Sequence, residues 1–80
     1  MAEITEDVRE RVMKIVSEIL EVEPGKLTET AVFTDEFGSD SVAAIEMLTA
    51  IEDGLDVTID QAEVDRMVNL AGIYDVLAEA

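Results

Sequence analysis

The chain has no histidine, no cysteine and no tryptophan, and only 5 of its 80 residues are Lys or Arg. Each absence closes a class of function. Without His there is neither the usual near-neutral general base nor the commonest metal ligand. Without Cys there is no thiolate nucleophile, no disulfide and no Cys-based zinc site, which suits a reducing compartment. Catalysis by the chain's own side chains is therefore not expected. The few basic residues stand against 20 Asp and Glu, for a formal net charge of −15. That charge repels nucleic-acid phosphates and anionic membranes, so a macromolecular partner is expected to offer a basic protein surface. Long apolar runs are missing too, and the start, Met1-Ala2-Glu3-Ile4-Thr5-Glu6-Asp7, is acidic where a signal peptide would be basic and then apolar. A cytoplasmic, monomeric chain with no membrane insertion is the expectation. A fold of this size hides roughly 60% of the surface its unfolded chain exposes, which suits one domain over 1–80 and leaves no room for a deep active-site cleft.

What is present is a well-patterned apolar set: 49% of the residues are hydrophobic, too many for a disordered acidic tail. Ile4, Val8, Val12, Ile15, Val16 and Ile19 fall at steps of three and four, which predicts a helix from about Glu6 to Glu21 with Thr5 as N-cap. Pro24-Gly25 is expected to stop it. From Val22 to Asp40 no period persists. That segment is expected to cross the surface, pinned by Leu27, Val32, Phe33 and Phe37, with a helical turn near Thr28 to Ala31. Val42, Ile45, Leu48, Ile51 and Leu55 predict a second helix, about Ser41 to Asp53, capped by Asp40 or Ser41 and closed near Gly54. After an extended Val57-Thr58-Ile59, Asp60 and Glu63 have capping-box spacing and open a brief helix to about Arg66. Asn69 caps a last helix with Leu70, Ile73, Val76 and Leu77 inside and Gly72 as a weak point. The fold class is all-α: a small four-helix bundle of three longer helices and one short one, with a long first connection.

The acidity is uneven. Residues 1–26 hold 7 acidic and 4 basic residues, for −3, whereas residues 27–80 hold 13 acidic residues and only Arg66, for −12. Asp35, Glu36, Asp40, Glu46, Glu52, Asp53 and Asp56 surround the hydroxyl of Ser41 in Phe37-Gly38-Ser39-Asp40-Ser41-Val42. Phe33, the Asp35-Glu36-Phe37-Gly38 approach, the Asp40-Ser41-Val42 core, Ile45-Glu46-Met47-Leu48 and Ala50-Ile51-Glu52-Asp53 together resemble the acyl carrier proteins over essentially the whole chain. The family's usual core is Asp-Ser-Leu, from which Asp40-Ser41-Val42 departs by one conservative step. The resemblance implies that Ser41 receives 4′-phosphopantetheine from coenzyme A through a separate phosphopantetheinyl transferase, and that acyl intermediates ride on that arm as thioesters. The missing His and Cys then make sense, since the arm supplies the thiol and partners supply catalysis. Read alone, Asp-Ser before an apolar run is an ordinary helix N-cap. A serine in the first turn of a helix also places any phosphodiester built on it beside unpaired amides and the positive end of the dipole.

The same resemblance implies partner recognition by Asp40, Val42, Glu46, Met47, Glu52 and Asp53, presented to basic patches of acyl-loading and condensing enzymes of fatty-acid or polyketide-type biosynthesis. For the charges the plain alternative is a solvated helix face, and for Met47 it is core. Ile45, Leu48, Ile59, Val64 and Met67 are candidate lining for an acyl chain held between helices, or simply core. No metal site is expected: an EF-hand register from Asp35 puts Phe37 at the third position and Asp40 where Gly is required. Ala43, Thr49 and Gly54 thin the acidic face, and Glu63-Val64-Asp65-Arg66-Met67 suits a specialised carrier, for polyketide synthesis or for aminoacyl cargo of the D-alanyl type. A chain of this length without linkers reads as a discrete carrier. Outside the resemblance, a small unmodified acidic interaction protein and a metal-buffering helical protein are the alternatives.

Overall fold

The computed structural model describes residues 3–80; Met1 and Ala2, at the head of the acidic start, lie outside them. The elements are α1 (Glu6–Leu20), a 3₁₀ turn (Pro24–Lys26), α2 (Phe33–Glu36), α3 (Ser41–Leu55), a 3₁₀ segment (Gln61–Arg66) and α4 (Leu70–Glu79). The architecture is all-helical, with three long helices as expected.

α1 begins where Thr5 accepts the Val8 amide at 3.3 Å, with Glu6 and Asp7 in the first turn where the helix dipole favours anions. Val12 and Val16 are fully buried, and the partly buried Val8, Ile15 and Ile19 pack beside them. The helix does not run to Pro24. Glu21 turns left-handed (φ 56°), its amide and that of Val22 both reaching the Ser17 carbonyl, and Pro24 instead opens the short 3₁₀ turn. Pro at the start of such a turn loses no needed donor.

The long connection is anchored as expected by the buried Leu27 and Phe33, with Val32 and Phe37 half-buried. A turn does form at Glu29 and Thr30, within the expected Thr28 to Ala31, and a short helix follows at Phe33–Glu36 that the sequence pattern does not signal. Two non-local bonds hold the segment: the Glu29 carbonyl accepts the Ala71 amide (3.0 Å), and the Phe33 amide donates to the Val68 carbonyl (2.9 Å). Arg9 adds a third tie, pairing with Glu29 and lying 4.7 Å over the Tyr74 ring, so that α1, the connection and α4 meet at one guanidinium. Burial of the Tyr74 phenol pushes its pKa up, against the pull of the Arg9 charge.

α3 runs two residues beyond its expected end at Asp53 and is closed by Asp56 in a left-handed conformation (φ 53°). Gly54 is therefore interior to the helix. A Cβ there would stand 3.0 Å from the Ile15 side chain, so the glycine lets α1 and α3 approach. Val57-Thr58-Ile59 forms no strand, and among the described residues there is none. The brief helix after Asp60 is 3₁₀, and Asp60 accepts the Ala62 amide while Glu63 turns to Arg66, so the reciprocal capping box does not form. α4 is capped by Asn69, whose Oδ1 accepts the Gly72 amide at 2.7 Å, and it buries Leu70, Ile73, Val76 and Leu77 with Tyr74. Among the described residues no helix is long and apolar enough to cross a membrane.

Gly72 is not a weak point. A Cβ at this position would lie 2.0 Å from the Arg66 carbonyl oxygen. Alanine ordinarily favours a helix over glycine by about 1 kcal/mol. Here Gly72→Ala is expected to destabilise the fold by about 1–3 kcal/mol through overpacking, read by urea unfolding; a more stable variant would refute the contact.

Arg66 donates to Glu63 at 2.7 Å and to Glu79. The hydrogen bond from Arg66, and then its charge, hold the Glu79 carboxyl below its ordinary value of 4.5. A depressed folded-state pKa means that the contribution to stability is complete above about pH 4.5 and is lost as pH falls through the lowered value. NMR titration of the Glu79 carboxyl carbon should show this depression, and Arg66→Gln should return it to the ordinary range.

Candidate functional site

The approach to Ser41 is built from the buried ring of Phe33 outward. The Phe33 carbonyl receives the amides of both Phe37 (3.0 Å) and Ser39 (3.2 Å), which folds the chain back on itself. Gly38 makes that reversal with φ +67°, a left-handed conformation that side-chain-bearing residues adopt at a cost. Asp40 then caps α3, its carboxylate accepting the Ala43 amide at 2.9 Å and its carbonyl accepting the Ala44 amide at 3.0 Å. Ser41 is the first helical residue and is exposed. The amides of Ser41 and Val42 precede the first intrahelical bond, so a group carried on the Ser41 hydroxyl meets unpaired donors and the positive end of the dipole.

Beside Ser41 lies a cleft of about 290 Å³. Thr34, Ser39, Asp40, Ser41 and Asp65 supply its polar groups, and Phe33, Ala44, Ile45, Val64, Met67 and Val68 its apolar ones. An exposed hydroxyl at a helix start, opening on an apolar cleft, fits the arm and cargo that the resemblance implies.

The expected lining divides in two. Ile45, Val64 and Met67 do line the cleft, whereas Leu48 is buried in the core and Ile59 borders a separate groove with Thr58, Asp60, Glu63, Val76 and Glu79. Phe33, Ala44 and Val68 complete the wall. Phe33 belongs to the carrier-like motif, but Val68 lies between the two expected helices and Ala44 is small, so neither carries a periodic signal.

The expected docking set also changes. Val42 is 62% exposed, and Glu46, Thr49 and Asp53 are exposed on the same stripe of α3 at spacings of four, three and four. Met47 is 1% exposed and belongs to the core, so it cannot meet a partner. Glu52 is half-buried, and its carboxylate accepts the Ile59 amide at 3.0 Å, which commits it to holding the following loop. The inward face of α3 is Met47, Leu48 and Ile51, with Val42 and Ile45 turned out. The reason is angular: at about 100° per residue, steps of three from Val42 to Ile51 carry the apolar run halfway round the helix.

Asp35, Glu36, Asp40, Glu46, Asp53 and Asp56 are exposed. Among the described residues the ion pairs are Arg9–Glu29, Arg11–Asp7, Arg66–Glu63 and Arg66–Glu79, so none of these six takes part in one. Among the described residues no cluster of three or more acidic side chains is arranged to hold a metal ion.

A family profile described as "Phosphopantetheine attachment site" matches residues 10–77. The chain is similar to polyketide-8 synthase acyl carrier protein 1 of Streptomyces avermitilis, with 47% identity over 72 residues, 90% of this chain and 86% of that protein. It is also 48% identical over 59 residues to an acyl carrier protein of Phenylobacterium zucineum (71% of this chain, 75% of that one). An acyl carrier protein of Caulobacter vibrioides is 46% identical over 59 residues (71% and 76%).

The unpaired carboxylates around Ser41 repel one another at neutral pH, and repulsion among exposed charges is screened by salt. Raising NaCl from low ionic strength should therefore raise the melting temperature by several degrees, followed by circular dichroism. A melting curve that does not move, or that falls, would show that the four ion pairs outweigh the crowding.

Proposed function

Because the chain belongs to the phosphopantetheine-attachment family of acyl carrier proteins, we propose that Ser41 bears the 4′-phosphopantetheine arm and that the cargo is an intermediate of polyketide-type assembly. The observation that carries the site is the setting of Ser41: an exposed hydroxyl on the first residue of α3, bordering the cleft. The other serines lack that setting. Ser17 is buried with its hydroxyl donated to the Lys14 carbonyl at 2.9 Å, and Ser39 sits in the reversal before the helix. The cargo class is supported by the 47% identity to a polyketide synthase carrier over 90% of the chain.

The arm, when bound, supplies the thiol on which cargo is held as a thioester. This chain's residues present and orient it. Gly38 and Asp40 fix the direction in which Ser41 leaves the surface, and the first-turn amides of α3 face the phosphate position. The chain has no His to remove the Ser41 proton, and Asp40 Oδ1 is held by the Ala43 amide as the helix cap. The exposed stripe Val42, Glu46, Thr49 and Asp53 forms the docking face. Its charges speed encounter with basic surfaces and its exposed position permits rapid release, while Val42 gives one apolar contact next to the arm.

Incubation with coenzyme A and a broad-specificity phosphopantetheinyl transferase should add one phosphopantetheinyl group by intact mass. Ser39→Ala should retain the gain and Ser41→Ala should lose it while keeping the helical spectrum; a gain that survives Ser41→Ala overturns the assignment. For docking, Glu46→Lys combined with Asp53→Lys should slow transfer from a loading enzyme about tenfold at low salt and leave the fold intact. Glu52→Gln should act on stability instead.

A further inference from the structure

We propose that the cleft beside Ser41 sorts cargo by charge, with Asp65 as the specificity-determining residue: neutral acyl groups, 3-oxoacyl groups among them, enter it, and acyl groups that end in a carboxylate are turned away. The inference rests on the reading that Ser41 carries an acylated arm, and it names the class of cargo that the cleft receives.

Burial orders the lining from floor to mouth. Phe33 and Met67 are 2% and 3% exposed and make an apolar floor. Ile45 and Val68 are 42% and 45% exposed and stand at the mouth, where Thr34, Asp40 and Asp65 are exposed as well. The two carboxylates come from different elements, Asp40 from the cap of α3 and Asp65 from the 3₁₀ segment Gln61–Arg66.

No cation lines this cleft. Arg66, next to Asp65 in sequence, pairs with Glu63 and Glu79, which border the separate groove of Ile59 and Val76. Arg9 and Arg11 pair with Glu29 and Asp7. Lys14 lines a third groove with Ile15 and Gly54, toward the far end of α3 from Ser41, and Lys26 lies in the 3₁₀ turn after α1.

A cargo carboxylate entering here meets two costs. It leaves water for a floor that offers no charged partner, and an unpaired charge is expensive to bury. It also passes two like charges at the mouth. Asp40 Oδ1 already accepts the Ala43 amide, whereas the Asp65 carboxylate takes part in no ion pair among the described residues, so Asp65 presents its charge to whatever enters. A neutral acyl group meets neither cost, and the hydroxyls of Thr34 and Ser39 can donate to a ketone oxygen.

The test loads the methyl-labelled chain from malonyl- and 3-oxobutyryl-coenzyme A and compares each product with the chain bearing the arm alone. The two acyl groups have the same number of non-hydrogen atoms and differ by a carboxylate oxygen in place of a methyl, so charge changes while shape is held. The 3-oxobutyryl group should move the methyl resonances of Ile45, Val64 and Val68 about two- to fivefold further than the malonyl group, the range expected of exposed charge pairs. Those of Val12 and Val16, fully buried on α1, serve as the reference. The excess should shrink in about 1 M NaCl, where the screening length is about 3 Å. Asp65→Asn should narrow it and Asp65→Lys abolish or reverse it, both with the helical spectrum kept. Equal movement by the two groups, movement by neither, or an excess that survives Asp65→Lys overturns the proposal. On the unmodified chain, the free pantetheine thioesters of the same two acids at millimolar concentration should give the same order. Failure to load Ser41 would strike the proposed function instead, and the comparison of free thioesters would still decide the role of Asp65.

Discussion

A core of aliphatic side chains has to outweigh the mutual repulsion of a chain with net charge −15, and the rest of the molecule is arranged around that constraint. Val12 and Val16 of α1, Met47 and Ile51 of α3, and Leu70, Ile73 and Leu77 of α4 are the largest fully buried side chains. Each contributes roughly 1.5–3 kcal/mol relative to exposure. Repulsion between surface carboxylates is screened beyond about 8 Å at physiological salt, so many weak long-range terms oppose a few strong short-range ones. The core prevails because the three long helices supply it from three directions. The charges are left outside, and little is asked of them individually.

Several of those charges still shape the fold locally. Asp40 and Asp60 each accept a backbone amide at the start of a helical segment, and Glu52 accepts the Ile59 amide across the turn after α3. A carboxylate bonded to amides is a strong acceptor and a helix cap at once. Basic residues are spent where elements must be joined. Arg9 joins α1, the long connection and α4, and Arg66 joins the 3₁₀ segment to α4. Among the described residues the carboxylates of Asp35, Glu36, Asp40, Glu46, Asp53 and Asp56 make no ion pair, so the surface around Ser41 stays acidic.

Local signals in the sequence were read correctly where the physics is local. Thr5, Asp40 and Asn69 cap the helices expected of them, because a cap depends on a side chain and amides two or three residues away. Periodicity worked for α1 and α4, whose inner faces are continuous. It misled on α3, where Val42 and Ile45 are apolar yet exposed and the alanines near them give no contrast. Glycines misled for a related reason. Gly54 reads as a helix end and Gly72 as a weak point, but what they meet is Ile15 and the Arg66 carbonyl, both remote in sequence or brought near only by the fold. The turn near Glu29 and Thr30 is legible in the sequence, whereas the helix at Phe33–Glu36 is not, because the chain there is held by Val68 and Ala71 from far along the sequence. The surroundings of Ser41 divide in the same way: its place at a capped helix start is legible from the sequence, while the cleft beside it is made of five chain segments and is legible only in part.

The two walls of that cleft differ in stiffness, and the difference bears on how a carrier works. The α3 wall, holding Ser41, Ala44 and Ile45, belongs to a helix capped at both ends and packed on α1 through the Gly54 approach. The facing wall is a six-residue 3₁₀ segment with voids on either side and one cation to hold it. Distorting α3 would break core contacts and intrahelical bonds together, and the facing wall is held in turn by Met67, which is buried in the same core. The serine thus stays fixed relative to the exposed stripe of α3, which carries Val42, Glu46 and Asp53 on the same helix. Under the proposed roles of Ser41 and the stripe, a partner that recognises the stripe would find the attachment point at a constant distance whatever the arm carries.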